Sequence, residues 1–343
     1  MIYSFKNDYS EGTHPNILSA LVDSNLQQEL GYGEDYYCDK ASSYIKTHVN
    51  NDSIDVHFVS GGTQANLIII SSMLRPFESV ICAETGHINV HETGAIEATG
   101  HKVCSIKTED GKLTVDHIKS VLNSHSTEHM VKPRLVFISN TTELGTVYTK
   151  SELTEISNFC KENDLYLHLD GARIGSALAA KNNDLTLEDI CNLVDIFYIG
   201  GTKNGALLGE AIVIKNDTLK NHFRYNIKQK GGLLAKGRLL GIQFVELFKD
   251  DLFFVLGKHA NDMAYKLATG LESLGYEFLV NPESNQLFPI MDNDFIDSIK
   301  DRYGFNVECA INENTSAIRL VTSWATKESG VDEFLEYMSS IKK

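Results

Sequence analysis

Residues 195–205 read DIFYIGGTKNG, and residues 166–173 read YLHLDGAR. Each is a short run of β-branched, aromatic and aliphatic residues that stops abruptly. The first ends in a glycine pair followed by Thr202 and Lys203, the second in Asp170 and then Gly171-Ala172-Arg173. Runs of this length and composition read as strands. They are apolar at nearly every position, so they read as strands buried on both faces, as in a parallel sheet covered by helices. A charged residue at the end of such a strand stands where α/β sheets bind their ligands.

Working outward, the same kind of run recurs as DVHFVS, SVICAE, KVCSIK, RLVFIS and EAIVIK between residues 55 and 215. Between them, TQANLIIISSML, NVHETGAIEATG, VDHIKSVLNSH and SELTEISNFCKEN carry apolar residues at helical spacing. This alternation predicts an α/β fold with a mostly parallel central sheet sandwiched by helices. After residue 216 the pattern becomes a long helical stretch to Leu274, broken at Gly231-Gly232. Strand-like EFLV and LFPIM follow, then a helix around Phe295–Tyr303, the strand AIRLVTSW and a closing helix near Val331–Ile341. We therefore expect a large domain over residues 1–245 and a smaller C-terminal α+β domain over 246–343. A chain of 343 residues can bury roughly three quarters of its unfolded surface, enough for such a pair.

A net charge of −15 with dispersed basic residues speaks against nucleic acid and against anionic membranes as partners. The N-terminus MIYSFKNDYSEG lacks a secretory pattern, and no apolar run is long enough to span a bilayer. Six cysteines without a CxxC pair read as reduced thiols, which points to a cytoplasmic protein.

Three strand ends carry chemistry. Gly61-Gly62-Thr63-Gln64 after DVHFVS opens a helix, whose free N–H groups and dipole suit an anion such as phosphate. A plain strand-to-helix turn reads the same way. Asp170 is either a helix cap or a functional carboxylate, of the kind that keeps a pyridine nitrogen protonated. Lys203 is either a solvated loop residue or a partly desolvated amine with a lowered pKa, able to attack a carbonyl. His87 and His91 lie four apart with Glu92 following, but HINVHE lacks the HExxH order of zinc hydrolases and no third ligand is evident, so no metal site is expected. Arg319 lies inside AIRLV, where it either faces solvent or offers a fork for a carboxylate.

The segments GGTQAN, HINVHETGA, HLDGARIGSAL and GGTKNGALLGE, in this order, resemble the low-specificity L-threonine aldolase and β-eliminating lyase family. That family belongs to the fold type I enzymes that depend on pyridoxal 5'-phosphate (PLP) and resemble aspartate aminotransferase. The similarity runs from FKNDYSEG to AIRLVTSWAT. It implies Lys203 as the Schiff-base lysine, Asp170 at the pyridine nitrogen and Arg173 near the phenolic oxygen. Gly62 and Thr63 would hold the phosphate, and His87 would stack on the ring and serve as a base. Arg319 and Ser10 would meet the substrate carboxylate, and Lys228 a neighbouring subunit's phosphate. It further implies a homodimer or homotetramer. Where those aldolases carry a histidine that touches the substrate hydroxyl, this chain has Glu143 within NTTELG, a second candidate base. The stretch after Lys203 also differs, with Asn204 and Ala206-Leu207-Leu208 in place of glycine-rich sequence. The expected reaction is cleavage of a small β-hydroxy amino acid, threonine or allo-threonine, to glycine and an aldehyde. β-Elimination or transamination on another small amino acid is the alternative. Binding without turnover would show as a biological role that survives Lys203→Ala.

Overall fold

The structure, a computed structural model, describes residues 3–341. Seven strands form its main sheet: β1 (Asp55–Val59), β2 (Glu78–Ala83), β3 (Val103–Ile106), β4 (Lys132–Ser139), β5 (Tyr166–Asp170), β6 (Ile196–Gly200) and β7 (Glu210–Ile214). Their spatial order is β1-β7-β6-β5-β4-β2-β3. Every pairing is parallel except those of β7, which runs antiparallel to both β1 and β6. The carboxyl ends of β1, β2, β4, β5 and β6 therefore open on one edge, where β7 begins with Glu210. This is the mostly parallel α/β sheet that the alternating runs imply.

Side chains alternate across the sheet, and both faces are dry. From β4, Val136 and Ile138 enter one apolar layer, while Leu135 and Phe137 enter the other. From β6, Phe197 and Ile199 take the first side, and Ile196 and Tyr198 the second. Helices Tyr36–His48, Lys150–Glu162 and Arg238–Phe248 cover the first face through Ile45, Leu153 and Phe244. Helix Gly62–Met73 covers the second through Ile68 and Ile69, with Ile227 from helix Phe223–Gln229 behind it. Helix Lys150–Glu162 starts at a capping box in which Thr149 and Glu152 satisfy each other's backbone N–H. Each buried aliphatic or aromatic side chain contributes about 1.5–3 kcal/mol. The two layers together fix the register, because a one-residue slip of β5 would turn Asp170 to the wrong face.

A third apolar cluster joins Phe5, Leu267, Ile318, Leu320, Val331 and Phe334 under an antiparallel sheet. That four-stranded sheet is built from Gln286–Leu287, Ile290–Asp292, Asn306–Ala310 and Thr315–Val321. Helix Leu252–Ser273 supplies Phe253 and Leu256 to the main core and Met263, Leu267 and Leu271 to this one. Three readings of local structure are corrected. The helix expected around Phe295–Tyr303 spans Asn293–Ile299, and Tyr303 stands in a short strand with Gly304. NVHETGAIEATG forms only the short helix His87–Val90 and a single turn at Glu97–Thr99, because Thr93 and Gly94 take positive φ (52° and 70°) and break the run. EFLV makes no strand beyond one bridge, Phe278 to Pro289. Among the described residues no helix is long and apolar enough to cross a membrane.

Candidate active site

Five strand ends deliver side chains to one cleft. Beyond β1, helix Gly62–Met73 begins at Gly61 without a side-chain cap. The N–H groups of Gly62, Thr63 and Gln64 have no partner among the described residues. They are free to receive an anion, and the helix dipole favours one. A Cβ on Gly62 would come 2.9 Å from the Tyr198 hydroxyl, so only glycine lets the backbone lie this close to β6.

Asp170 ends β5 buried, with only 4% of its surface exposed. Its Oδ1 accepts the Tyr198 hydroxyl at 2.5 Å and the Ala172 N–H at 3.0 Å, and its Oδ2 accepts the Asn66 amide at 3.0 Å. Burial pushes the carboxyl up, but His87 and these donors outweigh it, leaving Asp170 below the ordinary range. Three residues beyond the end of β6 stands Lys203, whose amine makes no hydrogen bond or ion pair among the described residues. Burial, then the Arg173 charge, lowers its pKa, so a larger fraction is the neutral amine that attacks carbonyls. Below it, Glu210 accepts the Gly201 N–H at 3.1 Å and the Thr202 hydroxyl at 2.9 Å. Burial raises this carboxyl to about 8.

From the end of β2, His87 turns its Nδ1 to Glu92 Oε1 at 2.8 Å. Its other ring nitrogen has no partner among the described residues. Glu143, beyond β4, accepts the His87 backbone N–H at 2.8 Å and the Ser139 hydroxyl at 2.8 Å, both on Oε1. Burial, with the Asp170 charge adding to it, raises the Glu143 pKa.

The rest comes from outside the main sheet. Asp8, in the N-terminal segment, receives Arg173 in a two-pronged ion pair, Nε at 2.7 Å and Nη2 at 3.0 Å. Burial works against the Asp8 charge, but Arg173 and Lys203 pull its pKa down to about 2. Arg319 donates from Nη2 to Gln286 Oε1 at 2.8 Å, and its buried Nε has no partner. Ser10 is exposed, its hydroxyl donates to Asn7 Oδ1 at 3.0 Å, and its neighbour Tyr9 lines the cleft. The turn at residues 7–10 points Ser10 away while Asp8 is pulled in by Arg173. Lys228 lies outside this chain's cleft, exposed, with its amine 4.7 Å from the Tyr32 ring.

Lys203, Asp170, Arg173, His87, Glu143, Gly62 and Thr63 line one cavity of about 310 Å³. A second, of about 520 Å³, shares Lys203, His87, Glu143 and Arg173 and adds Arg319, Gln286 and His91. A flat, anionic, carbonyl-bearing cofactor meets what it needs in the first: uncapped N–H groups, a charged carboxylate on the floor and an unpaired amine. The residues present fit PLP. Sequence reading missed Asp8, Asn66, Tyr198, Glu210 and Gln286. Tyr198 was within reach, since period-2 alternation puts it on the face of Asp170. A lone amide in TQANLIII likewise marks Asn66. Asp8 carries no local signal, because only tertiary packing brings it to Arg173.

Comparison with known proteins finds relatives over nearly the whole chain. A family model described as beta-eliminating lyase matches residues 9–294. The low specificity L-threonine aldolase of Pseudomonas aeruginosa is 34% identical over 332 residues, covering 96% of this chain and 95% of that one. A solved threonine aldolase from Leishmania major superposes with a TM-score of 0.98 at 52% identity, covering 99% of this chain and 100% of that one. An aromatic aminotransferase from Pyrococcus horikoshii, 16% identical with a TM-score of 0.72, covers 99% of this chain and 96% of its own and shares the fold.

Proposed function

We propose, for a chain that belongs to the beta-eliminating lyase family, that it cleaves threonine or allo-threonine to glycine and an aldehyde. The chain is a fold type I, PLP-dependent lyase. The observation that carries the substrate reading is the meeting of Lys203, Asp170 and Arg319 along one continuous cleft, in a chain so similar to a threonine aldolase.

When bound, PLP supplies an electron sink for the carbanion left by Cα–Cβ cleavage. Lys203 offers the amine that anchors it, and Gly62 and Thr63 offer backbone N–H groups, with the Thr63 hydroxyl, to its phosphate. Asp170, kept ionised by three donors, would keep a proton on the ring nitrogen. Arg173, itself held by Asp8, would serve the phenolic oxygen. Arg319, with a free Nε, would bind the substrate carboxylate and so orient the substrate for cleavage of its Cα–Cβ bond. His87 offers its uncommitted nitrogen to the β-hydroxyl proton. Glu143, with its raised pKa and its Oε1 already taken, serves better as a hydrogen-bond partner of that hydroxyl than as the base.

A homodimer or homotetramer belongs to the same reading. Leu18, Val22, Leu26 and Leu30 are all more than half exposed, Leu26 at 93%, an apolar surface suited to a second copy. There Lys228 would reach the neighbouring subunit's phosphate. Free thiols, five of six buried, support the cytoplasm as its place. We likewise divide the chain at about residue 245; the separate apolar cluster supports a second unit, with helix Leu252–Ser273 giving Phe253 and Leu256 to the main core and Met263 onward to that cluster.

The test is product analysis with threonine, allo-threonine, serine and cysteine. Glycine plus acetaldehyde is expected. Pyruvate plus ammonia would replace the reading with β-elimination, and a keto acid with aminated cofactor would replace it with transamination.

A further inference from the structure

Asn66 is fully buried where polar groups from three elements meet. Its helix, Gly62–Met73, lies on the sheet face that carries His168, Asp170 and Tyr198. The side chain's Nδ2 stands 2.8 Å from Glu92 Oε1 and 3.0 Å from Asp170 Oδ2, and its Oδ1 stands 3.0 Å from His168 Nε2. Ionised carboxylates only accept, so the amide must turn its two N–H bonds to them. Its oxygen then takes the proton of His168 Nε2. Burial holds His168 down to about 4, so it gives that bond as a neutral ring. The amide's donors and acceptor are all committed.

The two carboxylates are not equally secured. Asp170 keeps Tyr198 and Ala172 without Asn66. Glu92 has Asn66 and His87 Nδ1, and its Oε2 is buried with no partner. Without the amide, Glu92 would be a buried carboxylate with a single donor, close to Asp170. Taking up a proton relieves both costs. A neutral Glu92 carboxyl can donate to Nδ1, which moves the imidazole proton to the nitrogen facing the cleft and ends its role as an acceptor.

We propose that Asn66 is a positioning residue for the proton-accepting imidazole: one N–H to Glu92 and one to Asp170 keep Glu92 ionised, and Glu92 keeps the His87 proton on Nδ1. This deepens the reading of His87 as the base and rests on it. The amide also joins that pair to the carboxylate assigned to the ring nitrogen, through hydrogen bonds of 2.8 and 3.0 Å. The other titratable groups facing the cluster are His91 from the same short helix, Glu143 from the loop after β4, Tyr198 from β6 and Lys203 beyond it. Arg319 and Glu210 act from further off.

The experiment compares Asn66→Leu, Glu92→Gln and the double variant as cofactor-loaded enzymes. Two readouts are used: the pH profile of kcat/KM and the ¹⁵N spectrum of histidine-labelled protein. The His87 signal is identified by its loss in His87→Gln. Wild type is expected to show the unprotonated nitrogen as Nε2. Each single variant should gain protonated Nε2, lose roughly tenfold or more in kcat/KM, and move the acid limb to lower pH, because the imidazole has lost an anionic neighbour. The double variant should be little worse than the worse single one, as expected for residues acting through one bond. Asn66→Ser keeps one donor and should show the same shifts at smaller size, so it carries the test if Asn66→Leu does not fold. An unmoved acid limb and tautomer in the Asn66 variants would overturn the proposal even if cofactor content falls, and so would additive losses in the double variant. Full turnover by His87→Gln would instead sink the reading of His87 as the base, while the tautomer of the Asn66 variants still decides the role of Asn66.

Discussion

The two halves of the cleft are built differently. On the sheet side, Asp170, Asn66, Glu92 and Tyr198 are buried and hydrogen-bonded to one another within the chain. On the side facing the C-terminal unit, Arg319 keeps a free Nε, Thr85 an unpartnered hydroxyl, and His91 and Glu308 border an open cavity. Where Asp170, Asn66 and Tyr198 already hold one another, the geometry is set before anything binds, which suits a permanent cofactor. A half with unmet donors gains its hydrogen bonds only when a small, charged molecule arrives, which suits a substrate that comes and goes. The contrast follows from the fold. The sheet side is fixed by strand ends locked between two apolar layers, whereas the substrate side is assembled from a separate sheet and the loops after β2 and β4.

The largest break in this contrast should come from the sheet side. Lys203→Ala should lower turnover on the order of 10⁴-fold or more, as loss of a covalent anchor does. Asp170→Ala leaves its partners without their acceptor and should cost about 3–5 kcal/mol, seen as loss of both turnover and bound cofactor in activity and absorbance assays. Full turnover by Asp170→Ala would remove that residue from the mechanism. Arg319→Ala should behave in the opposite sense. Its loss of a charged, two-pronged contact should raise KM about 10- to 100-fold while cofactor content stays at the wild-type level. Release of cofactor by this variant would mean that the two halves are not separable.

Glu143→Gln sharpens the assignment of the base. Glu143 Oε1 accepts the His87 backbone N–H and the Ser139 hydroxyl, two contacts that an amide oxygen can also accept. The variant should therefore lose less than roughly tenfold in kcat at pH 7, an expectation that follows from general base contributions of 10²–10⁴. A loss within that larger range would make Glu143 the base.

The smallest effect concerns Glu210. Its pKa is raised from 4.5 to about 8, burial being the main cause. The folded state therefore binds this proton more tightly than the unfolded chain. The stability it contributes is complete below about pH 4.5 and is lost as pH rises through about 8. Glu210→Gln has no such proton to lose. Between pH 6 and 9 its melting temperature in cofactor-free protein should fall by a few °C less than that of wild type. Parallel falls in the two proteins would contradict the burial of a protonated Glu210.

Much of the sheet side was legible in the sequence, because apolar runs announce strands and a polar residue ending such a run must either cap or act. Asp170, Lys203 and the Gly62 turn were all visible in that way. The partners that hold them were not. Asn66 meets Asp170 across 104 positions and Asp8 meets Arg173 across 165, distances over which no local pattern carries information. Of the residues singled out by family likeness, Arg319 and His87 line the cleft while Ser10 is exposed, since one turn in the N-terminal segment decides which of Asp8, Tyr9 and Ser10 faces inward. Glu210 was quoted only as the end of a strand motif. Its burial follows from β7 running antiparallel, which places its first residue beside the ends of β1 and β6.

The central claim is that PLP is anchored on Lys203, and it is tested most directly by borohydride reduction of the purified protein followed by peptide mass mapping. The account predicts a visible absorption band that disappears on reduction and a pyridoxyl group on the peptide containing Lys203. A protein that takes up no added PLP, or that carries the reduced group on another lysine, would contradict it.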